Sequence, residues 1–362
     1  MGKIKTIGVL TGGGDCPGLN PAIKAITNKA HDHNIRVIGI RQGWHGMMSC
    51  SPELQGELDA AMVRHIDRQG GTMLGTTRTN PFSIAEGPQK VIDTWKKLEL
   101  DALIAIGGED TLGVAWRLHR DHDLSVVGVP KTIDRDLGQT QYTLGFESAL
   151  QVITDSVDKL RSTAESHSRI FVVEVMGRHA GHLALRGQIS SGASMTLIPE
   201  HPFDLAQVTQ LLKKHWEAGQ RYSIVLVAEG AVPLTGTNIT QNQQTDAFGH
   251  IRLGGIGNWL AEQIDESLSL EARCVNLSHL QRGGSPVAYD RRLGFYFGTA
   301  AVEAILLGTH GKMVALQQGC ISLVDMKKAV EKLEVLDTEK YYDSHNYRAK
   351  REILGVVGKL EM

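Results

Sequence analysis

Ile4–Asp15 reads IKTIGVLTGGGD: a short apolar run that stops at three consecutive glycines and an acid. A helical pattern follows near Pro21–Asn34, then a second apolar run at Arg36–Ile40. The alternation recurs down the chain. Ala102–Ile106 stops at Gly107-Gly108-Glu109-Asp110, Val126–Val129 at Pro130-Lys131-Thr132 and Ile170–Val175 at Met176-Gly177-Arg178. Ile224–Val227 stops at Ala228-Glu229-Gly230, and Cys274–Leu277 at Ser278-His279. Parallel strands buried on both faces are nearly continuous apolar runs, and helices cross over between them. The reading is an α/β fold of two doubly wound, Rossmann-like domains. The active site is expected in the cleft between them, because ligands of open α/β sheets bind beyond the carboxyl ends of the strands.

A chain of 362 residues suits two domains better than one core. Its 40 glycines fall in pairs and triplets without a repeat. They therefore suit tight turns that bring backbone close to a ligand rather than linkers. A net charge of -2 supplies no electrostatic footprint for nucleic acid or anionic lipid. The 15 histidines show no strong metal spacing. Cys16, Cys50, Cys274 and Cys320 lie far apart, as reduced thiols of an intracellular protein do. The chain enters a strand almost at once, without a secretory leader, and no apolar run approaches 18 residues. The expected compartment is the cytoplasm, with no membrane partner. The polar stretch Pro233–Gly249 reads as a surface excursion.

Three turns carry chemistry-bearing residues. Gly12-Gly13-Gly14-Asp15 with Gly18 precedes a helix, where backbone N–H groups and the helix end suit an anion; a plain tight turn is the alternative. The spacing is neither GxGxxG nor a Walker A loop, which disfavours a nicotinamide-dependent dehydrogenase. Gly107-Gly108-Glu109-Asp110-Thr111 sets two carboxylates beside a glycine pair. They could bridge a divalent cation to phosphate or simply open a helix with acid. Pro130–Asp136 gathers a cation, a hydroxyl and two carboxylates, the parts that phosphoryl transfer requires. Arg169, Arg178, Arg273 and Arg282 lie beside strand ends or glycine turns, where guanidinium groups can grip phosphate.

In this order, Gly13-Gly14-Asp15, Gly107-Gly108-Glu109-Asp110, Pro130-Lys131-Thr132-Ile133-Asp134-x-Asp136, Met176-Gly177-Arg178-His179-Ala180-Gly181 and His279-Leu280-Gln281-Arg282-Gly283-Gly284 resemble the motifs of the phosphofructokinase A family. The resemblance runs from about Ile7 to Met313 and is closest to the short pyrophosphate-dependent bacterial branch, found in actinomycetes among others. It implies roles residue by residue. Asp134 resembles the base that takes the proton from the sugar 1-hydroxyl, Asp136 its partner carboxylate and Thr132 the hydroxyl that steadies the moving phosphoryl group. Gly14, Arg78 and Arg178 are similar to the groups that hold the phosphates. Glu109 stands at the Mg²⁺ ligand. Met176, Gly177, Glu229, His279 and Arg282 match positions that hold the sugar phosphate. Arg169 and Arg273 match arginines supplied by a neighbouring subunit, which implies a homodimer or homotetramer. The resemblance also interleaves the domains: residues 1–145 with 281–331 would bind the donor, and 146–280 with 332–362 the sugar phosphate.

Two positions bear on the donor. ATP users of the family carry glycine at Asp110 and many carry it at Lys131. A carboxylate repels the α-phosphate of ATP while an ammonium replaces part of its contacts, so pyrophosphate is the expected donor and fructose 6-phosphate the expected acceptor. ATP dependence, and a catalytically silent sugar-phosphate sensor, are the competing readings. Arg135 stands where the family usually has Asn. Between two catalytic carboxylates it would lower their pKa values, or it would grip a differently shaped acceptor such as sedoheptulose 7-phosphate. Lys24 matches a basic effector position, but Asn28 one turn on does not, so nucleotide allostery is expected to be weak or absent.

Overall fold

The computed structural model describes residues 4–49, 51–234, 240–245 and 251–352. The first part of the chain alternates β1 (Thr6–Thr11), α1 (Leu19–Asp32), β2 (Arg36–Ile40), α2 (Trp44–Ser49), β3 (Gln55–Leu58), α3 (Gly87–Lys97), β4 (Ala102–Gly107), α4 (Glu109–His122) and β5 (Val126–Pro130). The middle follows with α5 (Phe146–His167), β6 (Ile170–Val175), α6 (His182–Ser191), β7 (Met195–Leu197), α7 (Leu205–Glu217), β8 (Ser223–Ala228), β9 (Thr240–Thr245), β10 (Ile251–Leu253), α8 (Ile256–Leu268) and β11 (Ala272–Asn276). Then come α9 (Ala288–Leu306), β12 (Lys312–Gln317), β13 (Cys320–Asp325) and α10 (Met326–Val330).

Two sheets organise these elements. The larger has the order β13-β12-β5-β4-β1-β2-β3, and the smaller β11-β6-β8-β7. Strands β1, β4, β6 and β8 are buried along their whole length, which is why each reads as an apolar run without alternation. All neighbours in the small sheet are parallel, as are those in the middle of the large one. After β1 the chain builds β2 on one side and β4 on the other, so β1 and β4 flank a switch point of the large sheet. The two glycine turns sit there side by side, and the N–H of Gly12 donates to the carbonyl of Ile106 (3.0 Å). Helix α9 packs on α1 through Gly294 and Gly298, where an added Cβ would lie 2.8 Å from Pro21 and 2.6 Å from the Ala22 carbonyl. The chain then returns to the large sheet, with Lys312 of β12 beside Val127 of β5.

The elements without a clean apolar run escape a sequence reading. Strands β12 and β13 form a hairpin on the two-residue turn Gln318-Gly319, both residues left-handed (φ 53° and 79°). Its outer strand is only partly buried, so no continuous run marks it. The expected excursion Pro233–Gly249 falls partly outside the described residues; its β9 pairs antiparallel with β10, which follows it. Cys50 also lies outside them, whereas Cys16, Cys274 and Cys320 are free thiols.

Candidate active site

The three turns read from the sequence converge. Gly13, Gly14, Arg78, Gly108, Glu109, Asp110, Thr111, Lys131, Thr132, Asp134, Asp136, Arg178, His179, Glu229, Arg282 and Leu333 line one cavity of about 140 Å³. The large sheet supplies the turns after β1, β4 and β5. The small sheet supplies Arg178 and Glu229 from the ends of β6 and β8.

The glycines are where they are because other atoms occupy the space of a Cβ. A Cβ on Gly12 or Gly107 would lie 2.5 or 2.4 Å from Thr111, which wedges between the two turns. On Gly14 it would lie 2.5 Å from Nη1 of Arg282, whose guanidinium crosses the loop to donate to the carbonyl of Asp15 (3.1 Å). Gly13 has φ 77°, a conformation that disfavours side chains. The loop thus brings backbone and two cations together, since Lys131 Nζ donates to the Gly14 carbonyl (2.5 Å).

The turn after β5 is held by Thr132. Its hydroxyl donates to Oδ1 of Asp136 (3.1 Å) and accepts from the Asp134 N–H (3.1 Å). Both carboxylates are partly buried in the cleft. Burial lifts the Asp134 carboxyl above its ordinary range, with Arg282 and Arg178 opposing. Burial, then the neighbouring Asp134, lifts Asp136. Burial and Asp134 push Glu229 up to about 7. Lys131, 3% exposed, is pushed down to about 8 by burial. Asp134 Oδ1 and Arg178 Nε are buried and accept or donate no protein hydrogen bond. A carboxyl whose proton is held above the ordinary carboxylate range by burial, beside an unmatched guanidinium nitrogen, can move a proton while the cations hold developing negative charge.

Not every expected residue reaches this cavity. Gly177 adopts φ 138°, and the Met176 N–H donates to the buried side chain of Gln281 (3.3 Å), behind the lining. His279 is exposed, its ring 3.0 Å from the Ser278 hydroxyl. Arg169 and Arg273 stand at the amino ends of β6 and β11, the opposite edge of the small sheet, where both pair with Glu271 (2.5 and 2.7 Å). The expectation for Arg135 is corrected. It does not lie between the carboxylates, which are raised rather than lowered, and it is absent from the lining. Its backbone is left-handed (φ 54°), and its guanidinium donates to the Gln141 carbonyl and lies 5.0 Å from the Tyr142 ring centroid. The lining also holds Thr111 and His179, which the sequence motifs contained without a role, and Leu333, which they did not contain. His179 was legible as the neighbour of Arg178; Leu333, brought in by a distant segment, had no signal.

Glu109 and Asp110 open α4 into the cavity, a hard-oxygen donor set. Among the described residues no three His, Cys, Asp or Glu side chains converge as a metal cage. Residues of this kind fit Mg²⁺, which is held by one or two carboxylates plus phosphate oxygens.

The phosphofructokinase family model matches residues 6–305. The chain belongs to the phosphofructokinase family. It is 48% identical over 343 residues, 94% of this chain and 97% of the other, to the pyrophosphate–fructose 6-phosphate 1-phosphotransferase of Dictyoglomus thermophilum. It is also 45% identical over 339 residues, 93% of this chain and 98% of the other, to ATP-dependent 6-phosphofructokinase 3 of Streptomyces coelicolor. Overall identity therefore does not separate donors in this family; particular residues of the cleft must. The crystal structure of a pyrophosphate-dependent phosphofructokinase from Marinobacter aquaeolei superposes with TM-score 0.82 at 20% identity, covering 96% of this chain and 89% of that one, and shares the fold. No helix among the described residues is long and apolar enough to cross a membrane.

Proposed function

We propose that this phosphofructokinase transfers a phosphoryl group reversibly from inorganic pyrophosphate to the 1-hydroxyl of fructose 6-phosphate, giving fructose 1,6-bisphosphate and phosphate. The observation that carries the reading is the placement of Asp110 and Lys131 in the same cavity as Asp134 and Asp136. In the forward direction Asp134 takes the hydroxyl proton as the new O–P bond forms and the bridging P–O bond of pyrophosphate breaks. Asp136 and Thr132 hold the turn and the moving group. Gly14, Arg78 and Arg178 hold phosphate oxygens, and Lys131 supplies a buried cation where a longer donor would place its α-phosphate. Asp110 repels that phosphate. Glu109 would hold Mg²⁺, which when bound offsets the charge on the phosphates.

On this reading Met176, Gly177, Glu229, His279 and Arg282 bind the sugar phosphate. Arg169 and Arg273 complete that site in a neighbouring subunit of a homodimer or homotetramer. The donor domain comprises residues 1–145 and 281–331, the sugar-phosphate domain 146–280 and 332–362, and the working compartment is the cytoplasm. The test is phosphoryl transfer to fructose 6-phosphate with Mg²⁺, comparing pyrophosphate with ATP in the wild type and in Asp110→Gly/Lys131→Gly. The wild type uses pyrophosphate, and the double variant gains at least tenfold in kcat/KM for ATP. Wild-type turnover with ATP alone would overturn the donor assignment.

A further inference from the structure

Arg135 is a buried cation, 7% exposed, yet it faces away from the cavity. A long side chain in the left-handed region is unfavourable unless the surroundings hold it there. Here they do. Its Nε donates to the Gln141 carbonyl, and its Cζ lies 5.0 Å from the ring centroid of Tyr142 and 6.0 Å from that of Phe146. Gln141 and Tyr142 lie on the returning leg of the loop, closed where Leu144 bridges Lys131. Phe146 is the first residue of α5. His182, the first residue of α6, is close enough to feel the Arg135 charge and contacts the Glu334 carbonyl through Nε2 (3.0 Å). The Glu334 N–H in turn donates to the Asp136 carbonyl (2.8 Å).

The turn that carries Asp134 and Asp136 places two carboxylates close together, and the Thr132 hydroxyl ties it by donating to Asp136 Oδ1 and accepting from the Asp134 N–H. We propose that Arg135 is a positioning residue that braces the Thr132–Asp136 turn from behind, against the starts of α5 and α6, without touching substrate. The brace matters because displacing a reacting group by about 1 Å can cost on the order of a hundredfold in rate. The inference rests on the proposed phosphoryl transfer for its kinetic consequence and on geometry alone for the brace.

Arg135→Asn suits the left-handed backbone but removes the cation, whereas Arg135→Lys keeps a cation over the rings. In the asparagine variant kcat falls at least tenfold with both KM values within about twofold of wild type, and lysine recovers part of the loss. Hydrogen exchange in peptides spanning residues 131–144 rises in the asparagine variant with the rest of the protein unchanged, a readout that needs no substrate. An unchanged kcat, or a sugar-phosphate KM raised tenfold at constant kcat, overturns the proposal. So does unchanged exchange, or exchange raised throughout the protein. A wild type inactive with pyrophosphate and fructose 6-phosphate would fail the functional reading while the exchange measurement still decides the brace.

Discussion

The carboxylates of the cleft, partly buried, and those that cap the helices around the small sheet, of which Asp290 and Glu174 are buried outright, are satisfied differently. Helices α5, α6 and α8 each begin after a glycine that cannot cap them. A distant carboxylate does so instead. Asp290 accepts from the N–H groups of Gly145 (2.9 Å) and Ser148 (2.8 Å) and from the Ser148 hydroxyl (2.6 Å). Glu200 accepts from the Gly181 and Leu336 N–H groups, and Glu174 from those of Gly255 and Gly257. The helix ends and the carboxylates satisfy one another. Even so, burial pushes Asp290 up to about 6, so three donors offset only part of the desolvation. In the cleft Asp134 keeps a buried oxygen without a hydrogen bond, and Asp134, Asp136 and Glu229 hold their protons more tightly than free carboxylates. Caps hold the frame; the cleft retains unmet electrostatic demand, which substrate and cation can meet.

Substitutions at the two kinds of carboxylate should separate cleanly. Asp134→Asn is expected to lower kcat by about 10²–10⁴-fold, the usual worth of a positioned base, without loss of thermal stability. A kcat within threefold of wild type would remove Asp134 from the chemistry. Asp290→Ala is expected to lose about 3 kcal/mol of stability at pH 7, because three donors are left unmet in the interior, with both KM values unchanged. Denaturant unfolding at unchanged midpoint would break the distinction between cap and cleft.

The smallest effect is at Glu229. Its folded pKa is raised above its unfolded value, so its contribution to stability is present at low pH and lost as pH rises through about 7. Glu229→Gln should therefore raise the unfolding temperature at pH 8 by a few degrees, for a gain of about 2 kcal/mol, and leave it nearly unchanged at pH 5. An equal shift at both pH values would argue that the carboxyl is not charged at a cost.

Much of this was legible beforehand because it is local. Apolar runs ending in glycine mark buried strands opening into a site, and the clustering of charge at Pro130–Asp136 survives in the cavity. What escaped depends on partners distant in sequence or on a single backbone torsion. Asp290 caps a helix that begins at Phe146. Leu333 enters the cavity from beyond β13. Arg135 sits between two cavity residues in sequence and points the other way, because φ at that position has the sign rare for arginine.

The order of strands and turns, the family and the chemical types available to the cleft were thus properties of the chain itself, since hydrophobic period and turn chemistry act over a few residues. Which carboxylates cap helices, which remain unmet and which way Arg135 faces were decided only by the folded molecule. Burial and hydrogen-bond satisfaction belong to a place in space, and a sequence does not state what surrounds that place.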